Sequence, residues 1–133
     1  EIKCLDYGVI KTEVNSEFSQ RLGILHKDLK KIIKKYKPDL MAVEDIFFFK
    51  NVKTAMKVGQ ARGVIILTGV QEKITLVEFT PLQVKQAVTN YGKAEKAQVQ
   101  QMVKIFLKLS KTPRPDDAAD ALAVAICAAN CKK

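Results

Sequence analysis

The chain has 133 residues, enough for one domain with a real core, and a formal net charge of +9 with a pI near 9.5. No apolar run approaches the roughly 20 residues of a membrane span and no secretory segment opens the chain, so a soluble, cytoplasmic protein with polyanionic partners is expected, nucleic acid first among them. The three cysteines, Cys4, Cys127 and Cys131, lack metal-site spacing, and the single histidine, His26, lies in a lysine-rich helical segment. Zinc chemistry and a serine or cysteine triad therefore lack support, and carboxylates are left to do any chemistry.

Ile2 to Thr12 has strand character with imperfect alternation. Phe18, Leu22, Leu25, Leu29, Ile32, Ile33 and Tyr36 then recur at helical spacing, with Asn15 or Ser16 as cap and Pro38 as stop. The lysines of KDLKKIIKKYK read as the solvated face of that helix. Leu40 to Val43 is short and continuously apolar, which predicts a buried strand. Glu44 ends it, and the carboxyl ends of strands are where α/β sheets build their ligand sites.

Asn51 can cap a second helix running to about Gln71, in which Ala55, Gly59 and Gly63 form a small-residue stripe suited to close packing or a dimer seam. Ile74 to Phe79 predicts another strand. Thr80, Pro81, Leu82 and Gln83 resemble a capping box with proline at the first helical position. After the Asn90 to Lys93 turn, Val99, Met102, Val103, Phe106 and Leu107 mark the apolar face of a further helix. The loop SKTPRP leads into DDAADALAVAICAAN, where Asp117 and Asp120 at i and i+3 share one helix face near the positive end of the dipole. Like charges held close call for a cation between them, and oxygen donors suit Mg²⁺ or Mn²⁺. First-turn acids that merely stabilise the helix are the plainer reading of this pair alone. The order of elements implies one α/β layer domain over residues 1–133.

The segments AVEDIFFFKN, GQARGV, QVKQAV, AEKAQVQQMV and DDAADALAVAI closely resemble the RuvC family of Holliday-junction resolvases, in order and over nearly the whole chain. The resemblance implies a ribonuclease H-like fold, a central mixed β-sheet flanked by helices. It implies metal-dependent phosphodiester hydrolysis at four-way DNA junctions in the bacterial cytoplasm, two Mg²⁺ ions per site with Mn²⁺ possible, a homodimer, and partnership with a branch-migration motor. On this chain the catalytic and metal-binding acids fall on Glu44, Asp117 and Asp120, and the base-contacting aromatic on Phe47. DNA contacts extend to Lys50, Asn51, Lys85 and Lys96, and the dimer seam is assigned to Ala55, Gly59 and Gly63. The family's opening strand, with a GIDPG-like motif and the first catalytic acid, has no counterpart, so the sequence is expected to be a truncated form that by itself would fold poorly and cleave little. Asp6 stands where no catalytic acid is expected. That departure keeps two other readings open, a noncatalytic junction-binding protein and a ribonuclease H-like nuclease acting on RNA or hybrids.

Overall fold

The structure, a computed structural model, describes residues 2–45 and 50–131. The element order is α1 (Phe18–Tyr36), β1 (Leu40–Glu44), α2 (Val52–Gln71), β2 (Thr75–Phe79), α3 (Pro81–Thr89), α4 (Lys96–Phe106) and α5 (Asp116–Cys131). β1 and β2 pair as a small parallel sheet, with α2 as the crossover that parallel strands require. Contacts divide the chain into two compact units. The first comprises Glu1–Val9, Ala42–Ile46 and Val77–Lys133, the second Ile10–Met41 and Phe47–Leu76.

In the first unit the core forms where the apolar faces of α3, α4 and α5 meet: Val84 and Val88, Val99 and Val103, and Leu122, Ile126 and Cys127 are all buried. Alanine dominates α5 for a geometric reason. Ala118, Ala119, Ala123 and Ala128 are buried among eight interior positions of that helix, and small side chains let neighbouring backbones come close. The Thr80 capping box is formed in full: Gln83 N–H donates to Thr80 Oγ1 at 3.2 Å, and Thr80 N–H donates to Gln83 Oε1 at 2.8 Å. α4 starts with Glu95 N–H donating to Gln98 Oε1 at 2.8 Å.

In the second unit α1 packs on α2. Thr68, fully buried, donates its hydroxyl to the Val64 carbonyl at 2.7 Å, so at 2.8 Å it accepts from His26 Nδ1. The one histidine is thus a tie between two helices. Lys34 adds an ion pair of 3.4 Å to Glu72, just past the C-terminal end of α2. Gly69 is buried where α2 crosses the strands, and a Cβ there would lie 3.0 Å from Leu76 and 3.3 Å from the Met41 sulfur.

Several expectations need correction. Ile2 to Thr12 forms no strand; its backbone finds no ladder partner among the described residues, although alternation survives in part, with Ile2 and Cys4 packed against the core. α1 is preceded by Glu17 rather than capped by Asn15 or Ser16, because Ser16 N–H closes a turn onto the Glu13 carbonyl and holds both residues outside the helix. Its end agrees with Pro38 as stop: the helix closes at Tyr36, and Lys37 takes a left-handed conformation at φ 48° just before the proline. Of the apolar face proposed for α1 only Ile33 is buried. β1 is half-buried throughout rather than buried, since one neighbouring strand covers it among the described residues. The three thiols are free: Cys127 is buried, Cys4 is half-buried against the core and Cys131 is exposed. No helix among the described residues is long and apolar enough to cross a membrane.

Gly69→Leu should destabilise the protein by about 1–3 kcal/mol through overpacking, whereas Gly23→Ala, where an added Cβ meets nothing within 4 Å, should stabilise it; denaturant melts of the two variants check the contrast.

Candidate active site

Glu44 is placed by strand geometry. It is the last residue of β1, and the ladder is locked just beyond it by Asp45 N–H donating to the Phe79 carbonyl at 2.7 Å. Asp120 is placed by helix geometry: α5 buries Ala118, Ala119 and Leu122, which turns Asp120 to the helix margin, 39% exposed. Lys85 projects from the middle of α3, whose start is fixed by the capping box, and Lys96 opens α4. These four side chains line one cavity of 240 Å³, walled by Pro81, Val84, Val99 and Ala123. All belong to the first unit. The volume equals that of roughly eight water molecules, room for a phosphate and a hydrated ion.

Electrostatics tie the four together. Burial pushes the Glu44 carboxyl above its usual range, and the charge of Asp120 pushes it further, while Lys96 and Lys85 pull it back. Lys96 Nζ donates to Asp120 at 3.2 Å. That hydrogen bond raises the Lys96 pKa above its ordinary value against the opposing effect of burial, assisted by the negative charges of Asp120, Asp116 and Asp117. Asp120 is therefore answered by one ammonium, and Glu44 is left half-buried with an acid for a neighbour.

Asp117 does not line the cavity. It is exposed in the first turn of α5, close enough for its charge to act on Lys96. Its neighbour Asp116 is paired with Arg114 at 2.8 Å, so of the two adjacent acids it is Asp117 that carries no ion pair among the described residues. No group of three or more His, Cys, Asp or Glu side chains able to share an ion occurs among the described residues. The donor chemistry nevertheless fits a hard divalent ion: Mg²⁺ is commonly held by one or two carboxylates, with water and substrate phosphates completing the shell, and a cation beside Glu44 would relieve the repulsion that raises its pKa.

Of the remaining expected residues, those described lie in the second unit. Phe47 lies outside the described residues. Lys50 is exposed, and the Asn51 side chain accepts from Lys53 N–H at 2.8 Å as the cap of α2. Ala55 is half-buried, while Gly59 and Gly63 face open space. Sequence reasoning missed the direct Lys96–Asp120 pair, having assigned Lys96 to phosphate, and missed the apolar wall. Val84 and Val99 belong to the apolar faces of α3 and α4, and a side chain at the margin of such a face borders whatever the face encloses.

The sequence pattern of the family described as "Crossover junction endodeoxyribonuclease RuvC" matches residues 1–128. A protein of that name from Halothermothrix orenii is 58% identical over 128 residues, covering 96% of this chain and 78% of the relative. Another from Fusobacterium nucleatum is 57% identical over 122 residues, covering 92% of this chain and 64% of the relative. Among solved structures, that of Thermus thermophilus RuvC superposes with a TM-score of 0.88 at 34% identity, covering 96% of this chain and 77% of that one. T. thermophilus RuvC in complex with Holliday junction substrate gives 0.87 at 31% identity, with the same coverage. The likeness bears out the ribonuclease H-like α/β fold.

Because Glu44 binds its proton more tightly folded than unfolded, stability should fall as pH rises from the ordinary carboxylate value through the raised one. Glu44→Gln removes that loss: in metal-free buffer its melting temperature should exceed the parent's at pH 7 and converge with it at a pH below the ordinary carboxylate range.

Proposed function

The chain belongs to the RuvC family of crossover junction endodeoxyribonucleases, and on that premise we propose how its residues carry out phosphodiester hydrolysis at a four-way DNA junction in recombination and repair. The observation that carries the reading is the convergence of Glu44, Asp120, Lys85 and Lys96 on one cavity. A relative bound to Holliday junction substrate favours four-way DNA over RNA or hybrids.

In this reading Glu44 and Asp120, with Asp117 three residues before Asp120 on α5, hold divalent metal, proposed as two Mg²⁺ ions with Mn²⁺ as a substitute. When bound, such ions supply the Lewis acidity that activates water and stabilises the departing 3′ oxygen. The protein's own groups prepare the site. Lys96 neutralises Asp120 and so allows two carboxylates to be assembled before substrate arrives. Lys85, half-buried in the cavity wall, and Lys96 offer ammonium groups to the non-bridging oxygens of the phosphate, offsetting its charge. The apolar side chains of Val84, Val99 and Pro81 exclude bulk water from one side, which strengthens each of these charge interactions. Phe47, three residues beyond Glu44, is assigned to stack on an unpaired base at the junction centre, with Lys50 on nearby phosphate and Asn51 fixing the start of α2.

A junction carries two equivalent strands to be cut, which suits a two-fold dimer. The seam is assigned to the stripe Ala55, Gly59 and Gly63, extended on the same helix by the exposed Val52, Met56, Leu67 and Val70. Its four large apolar residues are 53–75% exposed, and both glycines are open to close approach. The bacterial cytoplasm is the proposed location.

Asp120→Asn should lower junction cleavage by about 100-fold or more, since even the loss of a ligand's supporting partner can cost that much, while junction affinity in metal-free buffer holds; near-parental turnover would remove Asp120 from the machinery. Gly59→Ala and Gly63→Ala make opposite demands on fold and seam. Each should favour the helix by about 0.5–1 kcal/mol yet shift the protein toward monomer in sedimentation, and a variant that gains stability while keeping the parental oligomer would place the seam elsewhere.

A further inference from the structure

The second unit holds an unbalanced group of cations around the ring of Phe18. The guanidinium carbon of Arg21 lies 6.0 Å from the ring centroid and Lys57 Nζ lies 5.6 Å from it. Arg21 comes from the first turn of α1 and Lys57 from the second turn of α2, so the fold brings together two charges distant in sequence. Arg21 Nε donates to Thr12 Oγ1 at 2.8 Å. That bond fixes the guanidinium and leaves both terminal amino groups for another acceptor. Neither cation has a carboxylate partner among the described residues.

A second observation points the same way. The first turn of α2 contains no acid and does contain Lys53, with Lys57 one turn further along the same face. Cations at a helix N-terminus oppose the macrodipole, and lysines at i and i+4 repel one another. Attraction to the aromatic face explains why Arg21 and Lys57 gather at Phe18, but not why no acid accompanies them. Local charge placement that works against the isolated chain is expected where a ligand supplies the missing charge.

We propose that Arg21 and Lys57, gathered on the Phe18 ring and supported by Lys53, form a phosphate site for the backbone of a DNA arm, serving a phosphate other than the one cleaved. The planar fork of Arg21 matches two oxygens of a phosphodiester, and Lys57 adds a point charge. Such a site carries no sequence information; it fixes how the duplex lies on the protein. The ligand class rests on the junction reading above, while the site itself rests on the cluster.

The test uses the full chain and the variants Arg21→Gln, Lys57→Gln, the double variant, and Phe18→Leu, which keeps an apolar side chain but removes the ring. Affinity for a synthetic four-way junction and for a linear duplex is measured in metal-free buffer across a salt series, with melting temperatures recorded alongside. Removing one cation from a phosphate should flatten the plot of log K against log salt by about 0.9. The double variant should therefore be flatter by roughly 0.9 to 1.8, with binding several-fold weaker at low salt on both DNAs, and Phe18→Leu should fall between it and the parent. Parental slopes in the double variant would overturn the site. So would a lowered melting temperature with an unchanged slope, which would make the cluster a packing device; if the Arg21 variants fail to fold, Lys57→Gln alone, at an exposed helical position, decides the matter by its slope. Junction nicking by the unsubstituted chain with Mg²⁺ separates the two readings. Nicking with unchanged variant slopes defeats the phosphate site alone, and flattened slopes without nicking count against hydrolysis by this chain and leave the site standing.

Discussion

The site depends on bringing two carboxylates, Glu44 and Asp120, into one cavity, which electrostatics opposes. Burial raises the cost of ionising Glu44, and the charge of Asp120 adds to it. Lys96 makes the arrangement tolerable by bonding directly to Asp120, and Lys85 contributes from the cavity wall. The acids then differ in standing. Asp120 is neutralised within the protein, whereas Glu44 retains an unfavourable charge in a half-buried place. The imbalance suits the proposed role, since the residual negative potential at Glu44 would be relieved by a cation.

Short-range rules of helix construction hold this arrangement in place. Lys85 and Lys96 sit where they do because the starts of α3 and α4 are pinned, the first by a reciprocal capping box and the second by Gln98. Asp120 reaches the cavity because α5 is built of alanines that pack closely enough to bring the helix margin to the wall, where Ala123 lines the same space. A larger residue at Ala123 would intrude on the space that the charged groups share. The adjacent acids are sorted locally as well: Arg114 occupies Asp116, so Asp117 carries the first turn's unpaired charge among the described residues.

What could be read from the sequence followed the range of the interaction. Caps and turns are set within four residues, and Asn51, Thr80 and the left-handed Asn90 stand where their residue types imply. The strand-end position of Glu44 was legible because a four-residue apolar run bounded by Pro38 and Asp39 leaves little freedom in register. Burial was harder to read. Ile2 to Thr12 has the composition of a strand, but a strand is defined by its partner, and composition cannot supply one. The amphipathic spacing of α1 located the helix but overstated its packing, since Ile32 and Tyr36 remain 44% and 37% exposed. Long-range pairing of the Lys96–Asp120 kind, 24 residues apart, leaves no local trace; two residues of opposite charge on different helices become neighbours only when the helices pack.

The second unit shows a different relation between sequence and purpose. Its internal contacts are well satisfied where α1 meets α2, through His26, Thr68 and the buried Gly69. Its outer face departs from the same rules: glycines occupy helix positions with open space above them, and lysines crowd a helix start that would favour acids. Each departure lowers the stability of the isolated chain by an amount that an alanine or a glutamate would recover. Among the described residues the glycines meet no neighbour and the lysines no carboxylate. A cost to the fold of this kind is what the proposed contacts outside it would offset, close approach of another helix at the glycines and an anion at the lysines.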